Sequence, residues 1–496
     1  MVEVLLIEPM YAHVEDKLTI RDSADFYSGS PIAIREPIAI EYIAGYLKSK
    51  GINAEIVQQT TDSDEDILAY IEKMKPKILG VSIHSTHIFP RVLKFLRLCK
   101  NKFPEMVIVL GGNHPTCVPE IVNEECIDYV VRGEGEETCY ELVNAILERK
   151  FDKIEKIKGI SFKKNKKIVH NPPRERFDFS KAPWPIRKKE ILEKIKCAPL
   201  CYPPPDKQKC AAQIAYSRGC PFKCEFCVSP LVFPGKVIYR KAEDVVNEIE
   251  FLQKNFGTNF LFFNDLTFNA NPQKVKELCE EIVSRNLKIY WFAYCSVHIN
   301  NEIIKHMANA GCTRIGTGVE SFIDEILEIY KSQQNLKLAK KSLKIIDSYG
   351  ILNRVYIMIG YPEETKQMLE ETVEIMKTLP IDQPRLAFIT PFPGTPFYKK
   401  FKGRLVTTSS EFFTGDYPII KNHTISPEEY IKIRNRIIVE FYNSEEYFDH
   451  VIEKCERFPH LISSFLFFVD YLKKKDILKK PIFKKFKNKL QDLEDK

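Results

Sequence analysis

The sequence predicts an α/β chain. A doubly wound, Rossmann-like domain comes first, a partial (β/α)6 barrel of the TIM type follows, and a helical region ends the chain. Three observations predict it. Short apolar runs alternate with amphipathic helical stretches twice over, first from 2 to 148 and again from 212 to 390, which is the pattern of parallel sheets joined by crossover helices. A proline-punctuated stretch from about 150 to 206 separates the two series. Unusual loop sequences cluster where the strands of each series end, which is where parallel sheets bind ligands.

In the first series, Val2 to Glu8 is an apolar run that reads as a buried parallel strand. Ile38 to Lys48 has helical periodicity and is stopped by Gly51. Asn53 to Gln58 and Ile78 to Ile83 are further strands, and Ser63 to Met74 and Pro90 to Asn101 the helices that follow them. Met106 to Leu110 leads into Gly111-Gly112-Asn113-His114-Pro115-Thr116. The short strand Tyr129-Val130-Val131 leads into Arg132-Gly133-Glu134-Gly135-Glu136-Glu137-Thr138 and a helix to about Glu148. This domain is expected over 1–150, with its informative loops after Ile83 and after Leu110.

Over 151–206 the alternation stops. Asn171-Pro172-Pro173-Arg174, Ala182-Pro183-Trp184-Pro185 and Tyr202-Pro203-Pro204-Pro205 predict an extended, semi-rigid linker. Cys197, Cys201 and Cys210 are spaced too unevenly for a good ligand set and read as ordinary thiols.

The second series, within 207–400, has six strand–helix units. Its strands are Ala212 to Ser217, Asn259 to Phe263, Lys288 to Tyr294, Thr313 to Gly318, Arg354 to Ile359 and Arg385 to Thr390. They end at a cysteine-rich loop, at Asn264-Asp265, at Val319-Glu320-Ser321 and at Gly360-Tyr361-Pro362-Glu363. All of these fall on the face where barrels of this type do chemistry. Pro391-Phe392-Pro393-Gly394-Thr395-Pro396 closes the series as a rigid loop at the barrel mouth.

The region 401–496 reads as helical. Ser426-Pro427-Glu428-Glu429 starts a helix with an N-cap, a proline in the first position and acids in the first turn. Lys473 to Lys489 interleaves lysines with Ile477, Leu478, Ile482, Phe483 and Phe486. Such a stretch is a solvated helical tail, a patch for peripheral contact with a membrane surface, or an RNA contact. Composition narrows the classes. The 496 residues are 44% hydrophobic and 28% charged, ordinary for a globular chain. The net charge of +7 does not by itself imply nucleic acid. The 14 cysteines, with no secretory signal ahead of them, point to a reducing, cytoplasmic setting and metal use, not to a disulfide framework. No apolar run reaches the length of a membrane span.

The loop after the first barrel strand is the most specific stretch. Arg218-Gly219-Cys220-Pro221-Phe222-Lys223-Cys224-Glu225-Phe226-Cys227 sets Cys220, Cys224 and Cys227 in a C-x-x-x-C-x-x-C array. Iron–sulfur clusters are held by Cys thiolates, usually four. Three close thiolates leave one iron of a four-iron cluster open for chemistry. A zinc site is the other reading, but zinc wants four ligands.

With its R-G-C-P lead-in and the aromatic residue before the last cysteine, this array resembles the radical S-adenosylmethionine (SAM) superfamily. Gly80-Val81-Ser82-Ile83-His84-Ser85, Gly111-Gly112 and the G-E-G-E run resemble the cobalamin-binding domain ahead of many radical SAM cores, as in cobalamin-dependent, class-B members. The P-x-P-G-T turn resembles the branch with the anaerobic magnesium-protoporphyrin cyclase and the phosphorus methylases. The resemblance covers about residues 1 to 400. It implies a 4Fe-4S cluster on the three cysteines, SAM on the open iron, and cobalamin on the first domain. It places Phe226 beside the adenine, Asp265 near the SAM amino group, and Glu320 and Ser321 near its carboxylate and ribose. Ser82, Ser85, Gly111, Gly112, Asn113, His114 and Glu134 would contact cobalamin.

Two departures stand out. The D-x-H-x-x-G signature that ligates cobalt is absent after the first strand, which leaves His84, His87 and His114 either as axial ligands or as hydrogen-bonding loop histidines. Relatives often carry an arginine where this chain has Tyr294-Cys295-Ser296-Val297. The implied activity is methylation of an unactivated carbon or of phosphorus. One SAM supplies methyl to the corrinoid, and another is cleaved to a deoxyadenosyl radical that activates the substrate. The alternative is a ring-forming radical reaction without methyl transfer. The implied partners are a small-molecule or lipid-like substrate and an electron donor such as flavodoxin or ferredoxin.

Overall fold

The computed structural model describes residues 2–9, 36–59, 63–195 and 199–495. Cys197 lies outside the described residues. The N-terminal sheet has seven strands in the order β2-β1-β3-β4-β5-β6-β7. Its parallel part is β1 (Val4–Pro9), β2 (Ala54–Gln59), β3 (Ile78–Ser82), β4 (Val107–Gly111) and β5 (Tyr129–Val131). Helices α1 (Ile38–Ser49), α2 (Asp64–Met74), α3 (Phe89–Lys102) and α4 (Glu136–Leu147) cover both faces. Two separate apolar cores result, one under α1 and α4 and one under α2 and α3. The first turn of α2 carries a capping box, with Ser63 and Asp66 bonding each other's backbone.

Part of the stretch expected to be an extended linker belongs to this sheet. β6 (Ile160–Lys164) and β7 (Lys167–His170) form an antiparallel hairpin on the edge of β5. Asn165 and Lys166 both have positive φ, 51° and 63°, as a two-residue hairpin turn requires. Four lysines mask the strand alternation there, because the outer face of an edge strand needs no apolar residue.

The second sheet is six parallel strands in the order β13-β12-β11-β10-β9-β8, open between its first and last members. They are β8 (Ala211–Ile214), β9 (Phe260–Phe263), β10 (Tyr290–Cys295), β11 (Cys312–Glu320), β12 (Leu352–Ile359) and β13 (Gln383–Phe388). Helices α5 (Ala242–Phe256), α6 (Pro272–Ser284), α7 (Asn301–Asn309), α8 (Leu336–Ser348) and α9 (Lys366–Lys377) pack outside. β13 starts two residues earlier than expected, because Pro384 lies on an edge strand, where proline is tolerated.

Four helices end the chain: α10 (Pro427–Tyr442), α11 (Glu445–Arg457), α12 (Ile462–Lys474) and α13 (Lys480–Glu494). They share one core with β12 and β13. Ile477, Leu478, Ile482 and Phe486 are buried in that core. The apolar side of the Lys-rich stretch is therefore occupied by the fold, and the lysines are its solvated face; the lipid-patch reading loses its apolar surface. Among the described residues, no helix is long and apolar enough to cross a membrane.

The two sheets are joined through a buried ion network. Arg187, 2% exposed, donates to Glu36 and Glu248 at 2.5 and 2.7 Å and lies 3.3 Å from Glu41. It also donates to the Gln213 carbonyl of β8. Arg240 holds the other oxygen of Glu248 at 2.6 Å. Burial, with Glu36 beside it, pushes the Glu41 carboxyl well above the usual carboxylate range.

Candidate active site

Cys220, Cys224 and Cys227 lie in the loop that follows β8, and all three are half-buried. A two-residue antiparallel ladder, Ser217–Arg218 with Ile238–Tyr239, ties the root of the loop. Thr267 Oγ1 is 3.3 Å from Cys220 Sγ, the Ser229 N–H donates to Cys227 Sγ at 3.4 Å, and Gln333 Nε2 is 3.8 Å from Cys224 Sγ. Burial pushes the Cys224 thiol up to about 11 and raises that of Cys227, with the neighbouring thiols adding to both. Thiols held this way stay protonated at neutral pH and lose their protons to a metal. Among the described residues, no three His, Cys, Asp or Glu side chains converge on a single-ion site. A four-iron cluster asks for something different, one thiolate on each of three irons, and the donor set here fits it.

Lys331 completes the surroundings. Its Nζ is 2.6 Å from Glu320 and 3.3 Å from the Gly318 carbonyl, it is 9% exposed, and its charge acts on Cys224. Glu320 has φ of 67°, left-handed for a residue with a side chain, at a bulge between β11 and β12. Non-glycine residues in that region are uncommon and concentrate at functional sites. Lys331 was not among the expected site residues; it follows a short helix and reaches back across the loop, and no local pattern announces that.

The other expected SAM contacts are placed as follows. Phe226 packs against the apolar cluster of Tyr330, Tyr361 and Phe397 at the barrel mouth. Ser321 is buried, and its Oγ accepts from the Ile323 N–H. Asp265 is buried with both oxygens occupied: one accepts from the Tyr216 N–H at 3.1 Å, the other from the Ser217 N–H at 2.6 Å and the Ser217 hydroxyl. Burial pushes its carboxyl up to about 6. Asp265 thus braces the root of the cysteine loop, and its oxygens face the chain where a SAM amino group was expected.

On the N-terminal side, Ser85, Asn113 and His114 line a cavity of about 90 Å³ together with Val228, Phe392 and Pro393 of the barrel. Val228 directly follows Cys227. The expected cobalamin loops and the cysteine loop therefore share one cleft. His114 is 5% exposed; its Nδ1 is 3.1 Å from Thr86 Oγ1, and its buried Nε2 has no hydrogen-bond partner among the described residues. Burial drives its pKa down to about 4, so the ring is neutral; Nε2 is an acceptor or ligand in the tautomer whose Nδ1–H donates to Thr86, and a donor in the other. His84 is 2.8 Å from Glu8, and His87 Nδ1 is 2.8 Å from Ser85 Oγ.

The remaining expected cobalamin contacts are placed as follows. Gly112 has φ of 99°, and a Cβ there would lie 2.7 Å from the Ile83 carbonyl. It is required by the approach of β3, while a Cβ on Gly111 would meet only one atom, at 3.8 Å. Ser82 is buried at the end of β3. Glu134, 4% exposed, is occupied by Arg176, the Phe177 N–H and Arg218. With Glu136, 2.5 Å from Arg218, it ties the G-E-G-E turn to the R-G-C lead-in of the cysteine loop. The Arg218 guanidinium lies over the Tyr42 and Phe179 rings at 4.8 and 4.2 Å. Each motif hid its partner from the other, since 82 residues separate them.

An open six-strand barrel with three cysteines at its mouth, fused to a doubly wound domain, defines a radical SAM enzyme with a corrinoid module. Residues 214–376 match the radical SAM superfamily model and residues 33–143 the B12 binding domain model. The chain thus combines a B12 binding domain with a radical SAM domain, a pair whose cofactors are a 4Fe-4S cluster, SAM and cobalamin. It is 29% identical over 414 residues to an uncharacterized methyltransferase of Pyrococcus horikoshii, covering 82% of this chain and 87% of the relative. It is 28% identical over 407 residues to the anaerobic magnesium-protoporphyrin IX monomethyl ester cyclase of Rubrivivax gelatinosus, covering 79% and 71%. Its fold is that of the cobalamin-dependent SAM radical enzyme OxsB, with a TM-score of 0.68 at 16% identity over 99% of this chain and 79% of the other. It is also that of the radical SAM methyltransferase TsrM of Kitasatospora setae, with a TM-score of 0.65 at 19% identity over 82% and 76%.

Proposed function

We propose that this enzyme moves a methyl group from SAM, by way of cobalamin, to an unactivated carbon or a phosphorus of a small molecule. The observation that carries the reading is the shared cleft, where Ser85, Asn113 and His114 of the B12 binding domain face Val228, the residue after Cys227. Curated relatives named as methyltransferases support it. When bound, the cluster and cobalamin supply one-electron chemistry on SAM and a methyl carrier.

The residues of this chain hold, orient and shield. Cys220, Cys224 and Cys227 would each take one iron. Lys331 offers the cation that a SAM carboxylate seeks, and Glu320 the acceptor for its ammonium. Asp265 fixes the Tyr216 and Ser217 peptides from which the cysteine loop springs. Phe226, against Tyr330 and Tyr361, keeps water from one wall of the mouth. The Arg218–Glu136 pair holds the two halves of the cleft in register.

Anaerobic reconstitution with iron, sulfide and cobalamin tests the reading on wild type and Cys224→Ala. The expected result is a cluster and stoichiometric cobalamin in wild type, loss of the cluster in the variant, and formation of both S-adenosylhomocysteine and 5′-deoxyadenosine from SAM under reductant. A methyl given up by SAM leaves S-adenosylhomocysteine, so deoxyadenosine without it would overturn methyl transfer and favour the ring-forming reaction named for the cyclase relative.

A further inference from the structure

The inward face of the barrel carries an unpaid positive charge. Val355, Ile357 and Leu386 pack outward with the helices, so Arg354 and Tyr356 of β12 and Arg385 of β13 face the lumen by strand alternation. Arg314 of β11 lies in the same lower part of the barrel. It is 2% exposed, donates to the Gln383 side chain and lies 5.3 Å from the Phe292 ring centre. Arg354 is 1% exposed, and none of its three guanidinium nitrogens has a hydrogen-bond partner among the described residues. Arg354 and Arg385 flank the Tyr356 ring at 5.2 and 5.9 Å. Among the described residues, Asp416 is a carboxylate that acts on Arg385, and it also lies 4.0 Å from Arg434.

Beside and above these arginines the lumen wall is partly accessible. Tyr294, Gly318, Tyr356, Met358, Arg385 and Ala387 are half-buried, while most of the residues between them are fully buried. At Gly316 a Cβ would come within 2.9 to 3.0 Å of the Tyr294, Phe292 and Tyr356 rings, so the glycine lets three rings gather around the lumen. Burial lowers the Arg354 and Arg385 pKa values, and the Tyr356 phenol, which burial alone would raise, is held below its usual range by the two guanidiniums. A fully buried guanidinium with five unused donors is among the most costly arrangements in a protein, unless an anion joins it.

We infer that the lumen floor binds the oxyanion of the substrate, a carboxylate or a phosphoryl or phosphonyl group, through Arg354 and Arg385 with Arg314 beneath. A guanidinium presents paired N–H groups that match the two oxygens of such a group. Arg354 lies five residues below the end of β12, about 16 Å along the strand, which sets this site well below the cysteine face and leaves the space between for the reacting part of the substrate. The inference rests on the proposed function, in which the barrel lumen is the substrate site.

The test uses the full chain after reconstitution, with calorimetric titration of inorganic phosphate and of benzoate at matched ionic strength in chloride. Saturable binding of at least one is expected, weakened tenfold or more in both Arg354→Met and Arg385→Gln. Phosphate without benzoate assigns a phosphoryl or phosphonyl substrate, and the reverse a carboxylate. No saturable binding of either to wild type, or unchanged affinity in both variants, overturns the inference. Iron and cobalamin content of the same wild-type preparation separates the two claims. Both cofactors present with no anion bound overturns only the lumen site, and anion bound without cobalamin overturns only the methyl-transfer reading.

Discussion

Replacing Arg187 with Met should cost about 3–5 kcal/mol, the usual penalty for removing one partner of a buried ion pair. Arg187 is the common partner of Glu36, Glu41 and Glu248, all essentially inaccessible to water. Glu248 keeps Arg240 in the variant, and Glu36 keeps the Gln213 N–H, but Glu41 and Glu36 lose the cation that they share among the described residues. Unfolding entropy of roughly 2.1 cal/mol/K per residue gives about 1 kcal/mol per kelvin for a chain of this size, so Tm should fall by about 3–5 °C near pH 8. The loss should depend on pH. In wild type Glu41 already sits well above the usual carboxylate range, through burial and then Glu36. Without Arg187 a second carboxyl must take up a proton to remain buried. A carboxyl whose folded pKa is raised contributes its stability in full below the unfolded pKa and loses it as pH rises through the folded value. Relative to wild type, the variant should therefore weaken by up to about 1.4 kcal/mol per pH unit between pH 5.5 and 8.5. Scanning calorimetry at both pH values, at fixed cofactor content, reads this directly. Arg187→Met with Glu41→Gln should recover part of the loss and flatten the slope. A Tm drop that is the same at both pH values, or smaller than about 1 °C, would refute the reasoning.

Three further outcomes follow from the same geometry. Arg218→Met and Glu136→Gln should each destabilise, and the double variant should cost less than their sum by about 1–3 kcal/mol, since the two side chains form one buried pair; additive effects in a denaturation cycle would dissolve the coupling. Gly112→Ala should cost about 1–3 kcal/mol, because its Cβ would lie 2.7 Å from the Ile83 carbonyl and its φ is 99°, and cobalamin retention on gel filtration should fall with it, whereas Gly111→Ala should leave Tm within about 1 °C. Lys454→Met should cost about 3–5 kcal/mol by removing the buried cation from Asp382, 2.5 Å away and inaccessible, while Asp347 keeps Arg457 at 2.6 Å; an unchanged urea midpoint would show that His450, 3.0 Å from Asp382, suffices for Asp382.

The order of strands and helices was legible because each element carries its own period. Val4–Pro9, Phe260–Phe263 and the helix cap at Ser426 need nothing distant to explain them. The cysteine array was legible for the same reason, with its three thiols inside eight residues. What the sequence hid is long-range pairing. Glu134 looked like a ligand contact because a glycine-rich turn usually serves one, and its arginine partners come from 42 and 84 positions further on. Asp265 looked open at a strand end, yet its oxygens turn back to peptides of a neighbouring strand end. The β6–β7 hairpin escaped notice because an edge strand outside the sheet's own core needs few apolar residues. Lys331 and Arg354 escaped for a further reason: a lone cation on a short turn or a strand looks the same whether its partner is a carboxylate, a ligand or water.

That last ambiguity is resolved by energetics once partners are known. Arg187 and Arg240 have side chains about as buried as that of Arg354, and each is met by two or more carboxylates; the less buried Arg218 is met by two. In these places the chain builds counter-charges around the guanidinium it buries. Arg354 and Arg314 have no carboxylate paired with them among the described residues, and both lie inside the barrel. Guanidiniums gather at the floor of the barrel, whereas at the mouth Glu320 is paired with Lys331. SAM, with a sulfonium, an ammonium and a carboxylate, carries a net positive charge, so the floor repels it. An anionic substrate experiences the opposite force. On the inferred assignment the guanidiniums at the floor would hold the anionic end of the substrate and keep SAM away from it, leaving the methyl-accepting part toward the cysteine loop.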